Sequence, residues 1–188
     1  RKSKFMTNYD IVVLGGGPGG YVSAIRSAQL GNKTAIIDHD RLGGICLNWG
    51  CIPTKALLKN AEILHYVKNS SQFGINISKF NIDFTQTVKR SREVSHRLSK
   101  GIEFLIKKNK IKHIDGTGVL KSKSEISVLK GDKKQKIKAK KIIIATGGRP
   151  KEFPGIKYDG KRLITSKEAM TLKTIPKKLI IIGAGAIG

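Results

Sequence analysis

Tyr9-Asp10-Ile11-Val12-Val13-Leu14-Gly15-Gly16-Gly17-Pro18-Gly19-Gly20 runs from a β-branched stretch straight into a glycine cluster. Such a run reads as a strand, and the glycines read as the turn that ends it. Tyr21 to Leu30 follows with apolar or small residues at Val22, Ile25, Ala28 and Leu30, a helical pattern that Gly31 terminates. Thr34-Ala35-Ile36-Ile37-Asp38 is the next strand. Gly15, Gly17 and Gly20 thus stand at GxGxxG spacing in a βαβ unit, with an acid, Asp38, eighteen residues past the last glycine.

Each residue type in that unit has its own physical reason. Gly15 permits the tight turn, Gly17 lets backbone approach a pyrophosphate, and Gly20 lets helix pack on strand. The helix amino terminus offers N–H groups to the anion, and Asp38 can accept from ribose hydroxyls. The motif alone does not separate FAD from NAD. Lys178-Leu179-Ile180-Ile181-Ile182 repeats the strand, and Gly183, Gly185 and Gly188 repeat the glycine spacing. Two such units imply two dinucleotides. The sequence ends on the third glycine, before a helix, so the expectation is a truncated chain: a dinucleotide domain over 8–150, a connection over 151–177 and the start of a second dinucleotide domain over 178–188.

Gly43-Gly44-Ile45-Cys46-Leu47-Asn48-Trp49-Gly50-Cys51-Ile52-Pro53-Thr54-Lys55 carries both cysteines, five residues apart. In a regular helix that offset separates the Cα atoms by roughly 8.7 Å. A disulfide accepts only about 4.4–6.8 Å, so a bridge requires a distorted turn, for which Gly50 and Pro53 are suited. Such a local bridge would be easily reduced. Lys55 follows Cys51 by four residues, one helical turn, where its charge would favour a thiolate at Cys51. Inert core cysteines and half of a zinc site are the alternatives. No metal is expected, because His39, His65, His96 and His113 show no paired ligand spacing.

Composition bounds the remaining readings. Lys plus Arg number 37 against 13 acids, a formal net charge of +24. Of these, 29 are Lys and 8 are Arg, scattered from Lys2 to Lys178, whereas base readout and stacking favour Arg with interleaved aromatics. A solvated lysine surface is favoured over a nucleic-acid site, and a basic face for an acidic protein stays open. No apolar stretch approaches the roughly 20 residues of a membrane span. Arg1 to Phe5 reads as a short basic leader before Met6, the expected start. Two cysteines do not make a secreted disulfide scaffold and point to redox or metal chemistry in a reducing compartment.

Further on, Thr54 to Val67 reads as a helix with Leu57, Leu58, Ala61 and Leu64 at core spacing. Phe84, Val88, Leu98, Ile102 and Leu105 mark a longer helix with a basic outer face. Ile114 to Leu129 alternates around Gly116-Thr117-Gly118, a small antiparallel excursion, with Lys130 to Lys136 as its hairpin tip. Lys141-Ile142-Ile143-Ile144-Ala145-Thr146-Gly147-Gly148 reads as a buried parallel strand ending in small residues where a ligand could sit. The fold class expected is α/β: a Rossmann-like domain with a parallel sheet, an antiparallel excursion and the first strand of a second dinucleotide-binding domain.

The block Gly-Gly-x-Cys-x-Asn-x-Gly-Cys-x-Pro-x-Lys resembles the redox-disulfide signature of the pyridine nucleotide-disulfide oxidoreductases. Leu47, Ile52 and Thr54 resemble the branch that oxidises dihydrolipoamide more than the glutathione or mercuric reductases, which typically carry Val at the positions of Leu47 and Ile52. The resemblance runs from about Asn8 to Gly188. It implies that Cys46 is the interchange thiol, that Cys51 faces the flavin and that Lys55 sits near the reactive flavin nitrogen. Gly15, Gly17, Pro18, Gly20 and Gly44 would line the FAD pyrophosphate, with Asp38 where the family usually has Glu. Gly116 or Gly118 would meet the adenine end, and Ala145-Thr146-Gly147 resembles the Ala-Thr-Gly motif of flavoprotein domains.

The same resemblance assigns FAD to the first glycine unit and NAD to Gly183, Gly185 and Gly188. It implies a cytoplasmic homodimer, or one in the mitochondrial matrix, serving the lipoyl-bearing acyltransferase of 2-oxo acid dehydrogenase complexes. The family's catalytic His–Glu pair lies in a carboxy-terminal domain, and none of the four histidines matches it. The 188-residue chain alone is therefore expected not to turn over. A sister disulfide reductase or a non-enzymatic flavin-binding fragment are the competing readings.

Overall fold

The β-branched run before the glycines forms β1 (Thr7–Leu14) in a computed structural model that describes residues 7–188. The expected leader at Arg1 to Phe5, and Met6, lie outside the described residues. α1 (Pro18–Gln29) follows, and β2 (Thr34–Asp38) returns parallel to β1, with Val12 opposite Ala35 and Val13 opposite Ile36. The helix starts at Pro18, before its periodicity shows, because proline at the first helical position sacrifices no hydrogen bond.

α2 (Gly44–Trp49), α3 (Cys51–Lys68) and α4 (Phe84–Lys108) come next. β3 (Lys112–Asp115), β4 (Thr117–Leu120), β5 (Glu125–Lys130) and β6 (Lys133–Ile144) complete the sheet, and α5 (Ser166–Ala169) lies beyond it. Strand order is β3-β2-β1-β6-β5-β4. The first four are parallel neighbours, while β5 and β4 run as an antiparallel meander off β6, so the fold is the expected α/β sheet with an antiparallel excursion. The chain divides into two units: residues up to Cys46 with Leu98–Gly148, which hold the sheet, and Leu47–Arg97 with Arg149–Gly188.

In the first unit, β1 and β2 are buried on both faces, as parallel strands covered on both sides must be. Val12, Leu14, Ala35, Ile37, Ile114, Ile126 and Ile137 form one cluster, while Val13 and Ile36 point the other way and are equally inaccessible. α1 packs on β1 and β2 through Gly20, Ala24 and Ser27, with Val22 and Leu30 left exposed. Small residues let the helix approach the strands closely. Ser27 shares a buried hydroxyl bond of 3.0 Å with Thr34, which fixes the entry to β2.

Several expectations are corrected. The tip of the β5–β6 hairpin is only Gly131-Asp132, because a two-residue turn with φ +54° at Gly131 lets pairing resume at Lys133. β6 is continuous from there to Ile144, and its end is not buried: Ile144 is 63% exposed, since β5 leaves β6 at Lys138 and the last residues pair with β1. The buried positions of α3 are Pro53 and Ala56, whereas Leu58 and Ala61 face solvent. On α4 the buried stripe is Ser91, Ser95, Ser99, Ile102 and Ile106, and Leu98 and Leu105 lie outside it. Lys178–Ile182 has the composition of a strand but forms no ladder, and Ile180 is 89% exposed; an apolar run becomes a strand only beside a partner.

Asp10 ties three strands at their entrance. Its carboxylate accepts from the Lys33 N–H at 2.8 Å and pairs with the Lys140 ammonium at 2.8 Å. The Lys140 contact, then the Lys33 amide, holds its pKa below the ordinary 3.8. A carboxyl with a depressed folded pKa contributes stability above its unfolded pKa and loses it as pH falls through the folded value. Asp10→Asn should therefore lower the melting temperature by a constant amount from pH 7 to about pH 5. The gap between the two proteins should close below about pH 4. Parallel melting curves across pH check this.

Candidate dinucleotide loop and thiol pair

β1 delivers the chain into the turn at Gly15, whose φ of +101° suits glycine. A Cβ there would collide with the Ala145 carbonyl, and the Ala145 N–H in turn donates to the Leu14 carbonyl at 2.8 Å. Gly20 leaves no room for a side chain against the Gly15 carbonyl. Gly17 is different. A Cβ on it would meet only the Gly44 Cα, at an ordinary 3.8 Å, so the chain's own packing does not demand glycine there. Gly17 caps α1 and no side chain caps the helix, which leaves the amino terminus and its partial positive charge to an anion.

Asp38, at the end of β2, spends its carboxylate locally. One oxygen accepts from the Gly16 N–H and the other from the Asp40 N–H at 2.9 Å, with His39 Nδ1 at 3.7 Å. A carboxylate has about four acceptor positions, so capacity remains for a ribose hydroxyl. Asp115 pairs with Asp38 across the β2–β3 ladder, and the Gly116 N–H donates to the Asp38 carbonyl at 2.9 Å. Gly116 therefore lies beside the acid, whereas Gly118 sits over the core, where a Cβ would come within 2.6 Å of Leu14 Cδ2. Thr146 and Gly147 are exposed beyond β6.

The loop after β2 is stitched to the glycine turn. The Gly43 N–H donates to the Gly16 carbonyl at 2.8 Å, and a Cβ on Gly44 would lie 2.6 Å from the Gly17 Cα. Leu42 is buried beneath them, and the Ser99 hydroxyl of α4 donates to its carbonyl at 2.6 Å. α2 consequently begins at the glycine turn and carries Cys46 in its first turn. Sequence reasoning passed over Gly16, Gly43 and Ser99, because the contacts are made by backbone or by a residue 57 positions away.

Both cysteines are thiols, Cys46 half-buried and Cys51 exposed. The helix breaks between them at Gly50, with φ −147° and ψ −115°, and α3 opens at Cys51. The break expected from Gly50 and Pro53 falls at Gly50 alone, since Pro53 sits in the first turn of α3 where its missing N–H costs nothing. Lys55 is exposed one turn past Cys51 on the same helix. In the same unit, Arg92 donates to the Asn48 carbonyl and Trp49 meets two cations, contacts with no signal in the linear motif. Near the chain end, Gly183 has φ +116° and a Cβ on Gly188 would meet the Gly183 carbonyl, the same relation as Gly20 to Gly15. Among the described residues, no three His, Cys, Asp or Glu side chains gather as for a metal, and no helix is long and apolar enough to cross a membrane.

A glycine turn at a bare helix terminus, followed by a helix bearing a thiol, is the arrangement that a dinucleotide-binding redox domain requires. Residues 9–188 match the profile of the pyridine nucleotide-disulphide oxidoreductases, and the chain belongs to that family. Its relatives include dihydrolipoyl dehydrogenases of Chlorobaculum parvum, 46% identical over 181 residues, and Zymomonas mobilis, 47% identical over 182. A mitochondrial dihydrolipoyl dehydrogenase of Schizosaccharomyces pombe is 46% identical over 184. Each alignment covers 96% of this chain, which spans 39%, 39% and 36% of the three relatives. The family is FAD- and NAD-dependent, and the bare Gly17, the uncapped α1 and the acid at Asp38 fit a flavin dinucleotide.

Ser99→Ala removes a buried hydroxyl bond to the Leu42 carbonyl beside this junction. It should cost about 0.5–1.5 kcal/mol in urea unfolding. Ser95→Ala, whose hydroxyl only back-bonds to Ser91 of its own helix, should cost well under half of that.

Proposed function

We propose that the protein is a dihydrolipoyl dehydrogenase: a flavoprotein disulfide oxidoreductase that oxidises protein-bound dihydrolipoamide through Cys46, Cys51 and FAD, with NAD as final acceptor. The observation that carries this is the Gly43–Gly44 junction with Gly16–Gly17, which starts the cysteine-bearing helix at the phosphate-binding turn. Gly15, Gly17, Pro18 and Gly20 would hold the pyrophosphate, Asp38 the ribose and Gly44 the adjoining backbone. Gly116 or Gly118 would meet the adenine end, and Ala145, Thr146 and Gly147 would close the far side. Gly183, Gly185 and Gly188 would receive NAD in a domain opening at 178, after the FAD domain of 8–150 and the connection of 151–177.

Bound in the first site, FAD would carry the electron pair from the cysteines to the nicotinamide. The chain's own residues handle the sulfur chemistry. A thiolate of the dihydrolipoyl group attacks Cys46 Sγ of a Cys46–Cys51 disulfide, the S–S bond breaks, and Cys51 leaves as thiolate. The second substrate thiol, on losing its proton, attacks the mixed disulfide and releases Cys46, so the product departs as a cyclic disulfide. Two electrons now reside in the cysteine pair. Lys55, one turn past Cys51, opposes the negative charge that Cys51 acquires.

The substrate arm belongs to the lipoyl-bearing acyltransferase of a 2-oxo acid dehydrogenase complex, and the protein works as a homodimer in the cytoplasm, with the mitochondrial matrix as the alternative; the relative from Schizosaccharomyces pombe is named as mitochondrial. The direct assay is NAD reduction by the full-length protein with a reduced lipoyl domain. It should be abolished by Cys46→Ser or Cys51→Ser and slowed by Lys55→Met. Reduction of glutathione disulfide or mercuric ion in place of lipoyl turnover would replace this reading with a sister reductase. The 188-residue chain mixed with FAD should retain flavin absorbance through gel filtration, and Gly17→Val should abolish that retention while leaving the fold intact.

A further inference from the structure

Trp49, the chain's single tryptophan, lies in the four-residue tether between Cys46 and Cys51. Two cations bracket it: the Arg92 guanidinium is 4.5 Å from the ring centroid and the Lys167 ammonium 4.4 Å. Both distances are within the roughly 6 Å over which a cation is held by an aromatic face. Arg92 also donates to the carbonyl of Asn48, the preceding residue, which is buried. That carbonyl belongs to the last turn of α2, where acceptors lack helical partners and a cation suits the dipole.

We propose that Arg92 and Lys167 are positioning residues for the thiol pair, clamping Trp49 so that the Leu47–Gly50 tether holds the geometry from which Cys46 and Cys51 close a disulfide. This rests on the reading of the two cysteines as a redox pair. The need for a clamp follows from Gly50, which comes immediately after Trp49 and breaks the helix. Glycine is the residue with most backbone freedom, and a disulfide closes only over a narrow window of Cα separation. An anchored indole on one side of the glycine removes most of that freedom.

Lys167 is itself held in place. It sits in α5, whose Thr165–Glu168 capping box has the Thr165 N–H donating to Glu168 Oε2 at 2.9 Å and the Lys167 N–H donating to Thr165 Oγ1 at 3.3 Å. α5 is further tied to α3 by the Thr54 hydroxyl, 3.4 Å from Met170 Sδ.

The test equilibrates the 188-residue chain with oxidised and reduced dithiothreitol and counts the disulfide by alkylation and mass. Each Cys46–Cys51 bond formed releases two protons and two electrons, which the ring disulfide of oxidised dithiothreitol takes up as its own S–S bond breaks. Arg92→Met should lower the equilibrium constant about tenfold, or about 30 mV toward a more oxidising couple. Lys167→Met should lower it severalfold, and Arg92→Lys should recover part of the loss by restoring a cation without the fork. Should Arg92→Met not fold, the exposed Lys167 carries the test. Unchanged constants in folded variants, with only the melting temperature lowered, would reduce the clamp to a structural contact and overturn the proposal. A wild-type chain that never forms the Cys46–Cys51 bond would instead overturn the redox reading beneath it.

Discussion

The first unit depends on a contact between two stretches of backbone that carry no side chains. Gly44 rests on Gly17, and the peptide of Gly16 is bonded at both ends: its N–H to Asp38 and its carbonyl to the Gly43 N–H. A Cβ on Gly16 would lie 2.7 Å from Leu42 Cδ2 and 2.8 Å from Asp38 Oδ2, so this residue outside the glycine motif is constrained by packing, as Gly15 and Gly20 are and Gly17 is not. One junction thereby fixes the glycine turn, the acid at the end of β2 and the start of the helix that bears Cys46. A side chain at Gly16 or Gly44 would push the two loops apart, whereas Gly17 has room for one.

How much of this could be read from sequence depended on how local each signal was. β1, α1 and β2 were legible because glycine spacing and strand runs act within a few residues, and the β2 limits, Thr34 to Asp38, needed no adjustment. The buried faces of α3 and α4 were not legible from apolar spacing. On α4 the hydroxyls of Ser91 and Ser95 donate to carbonyls of their own helix and that of Ser99 to Leu42, so serine can be buried without an unmet polar group. Its small size permits close packing, and Leu98 and Leu105 are left outside. Of the candidate site, the cysteine spacing and Lys55 were legible from one helix turn. Arg92 was hidden by distance in sequence, while Lys167 had a sign in the Thr165-x-x-Glu168 capping pattern.

Part of the charge of +24 lies along β6. Along β6, Ile137 and Ala139 face inward while Lys134, Lys136, Lys138 and Lys140 alternate with them on the solvent side. Acids from neighbouring strands meet part of this row, Glu125 with Lys136 at 3.4 Å and Asp10 with Lys140 at 2.8 Å. Exposed pairs of this kind contribute about 0–1 kcal/mol each. The lysines of this row form a wet face over a β-branched core.

The two glycine turns separate what a motif encodes from what its surroundings supply. At both, the first glycine has a left-handed φ and the last abuts its carbonyl, although β1 is paired on both sides and Leu179–Ile182 form no ladder. The turn spans six residues and is set by local sterics, whereas a strand needs another strand. Glycine spacing alone thus specifies a shape that can receive phosphate. What distinguishes the first turn is the second loop laid against it, because Gly43 and Gly44 start the helix that bears Cys46 at that shape.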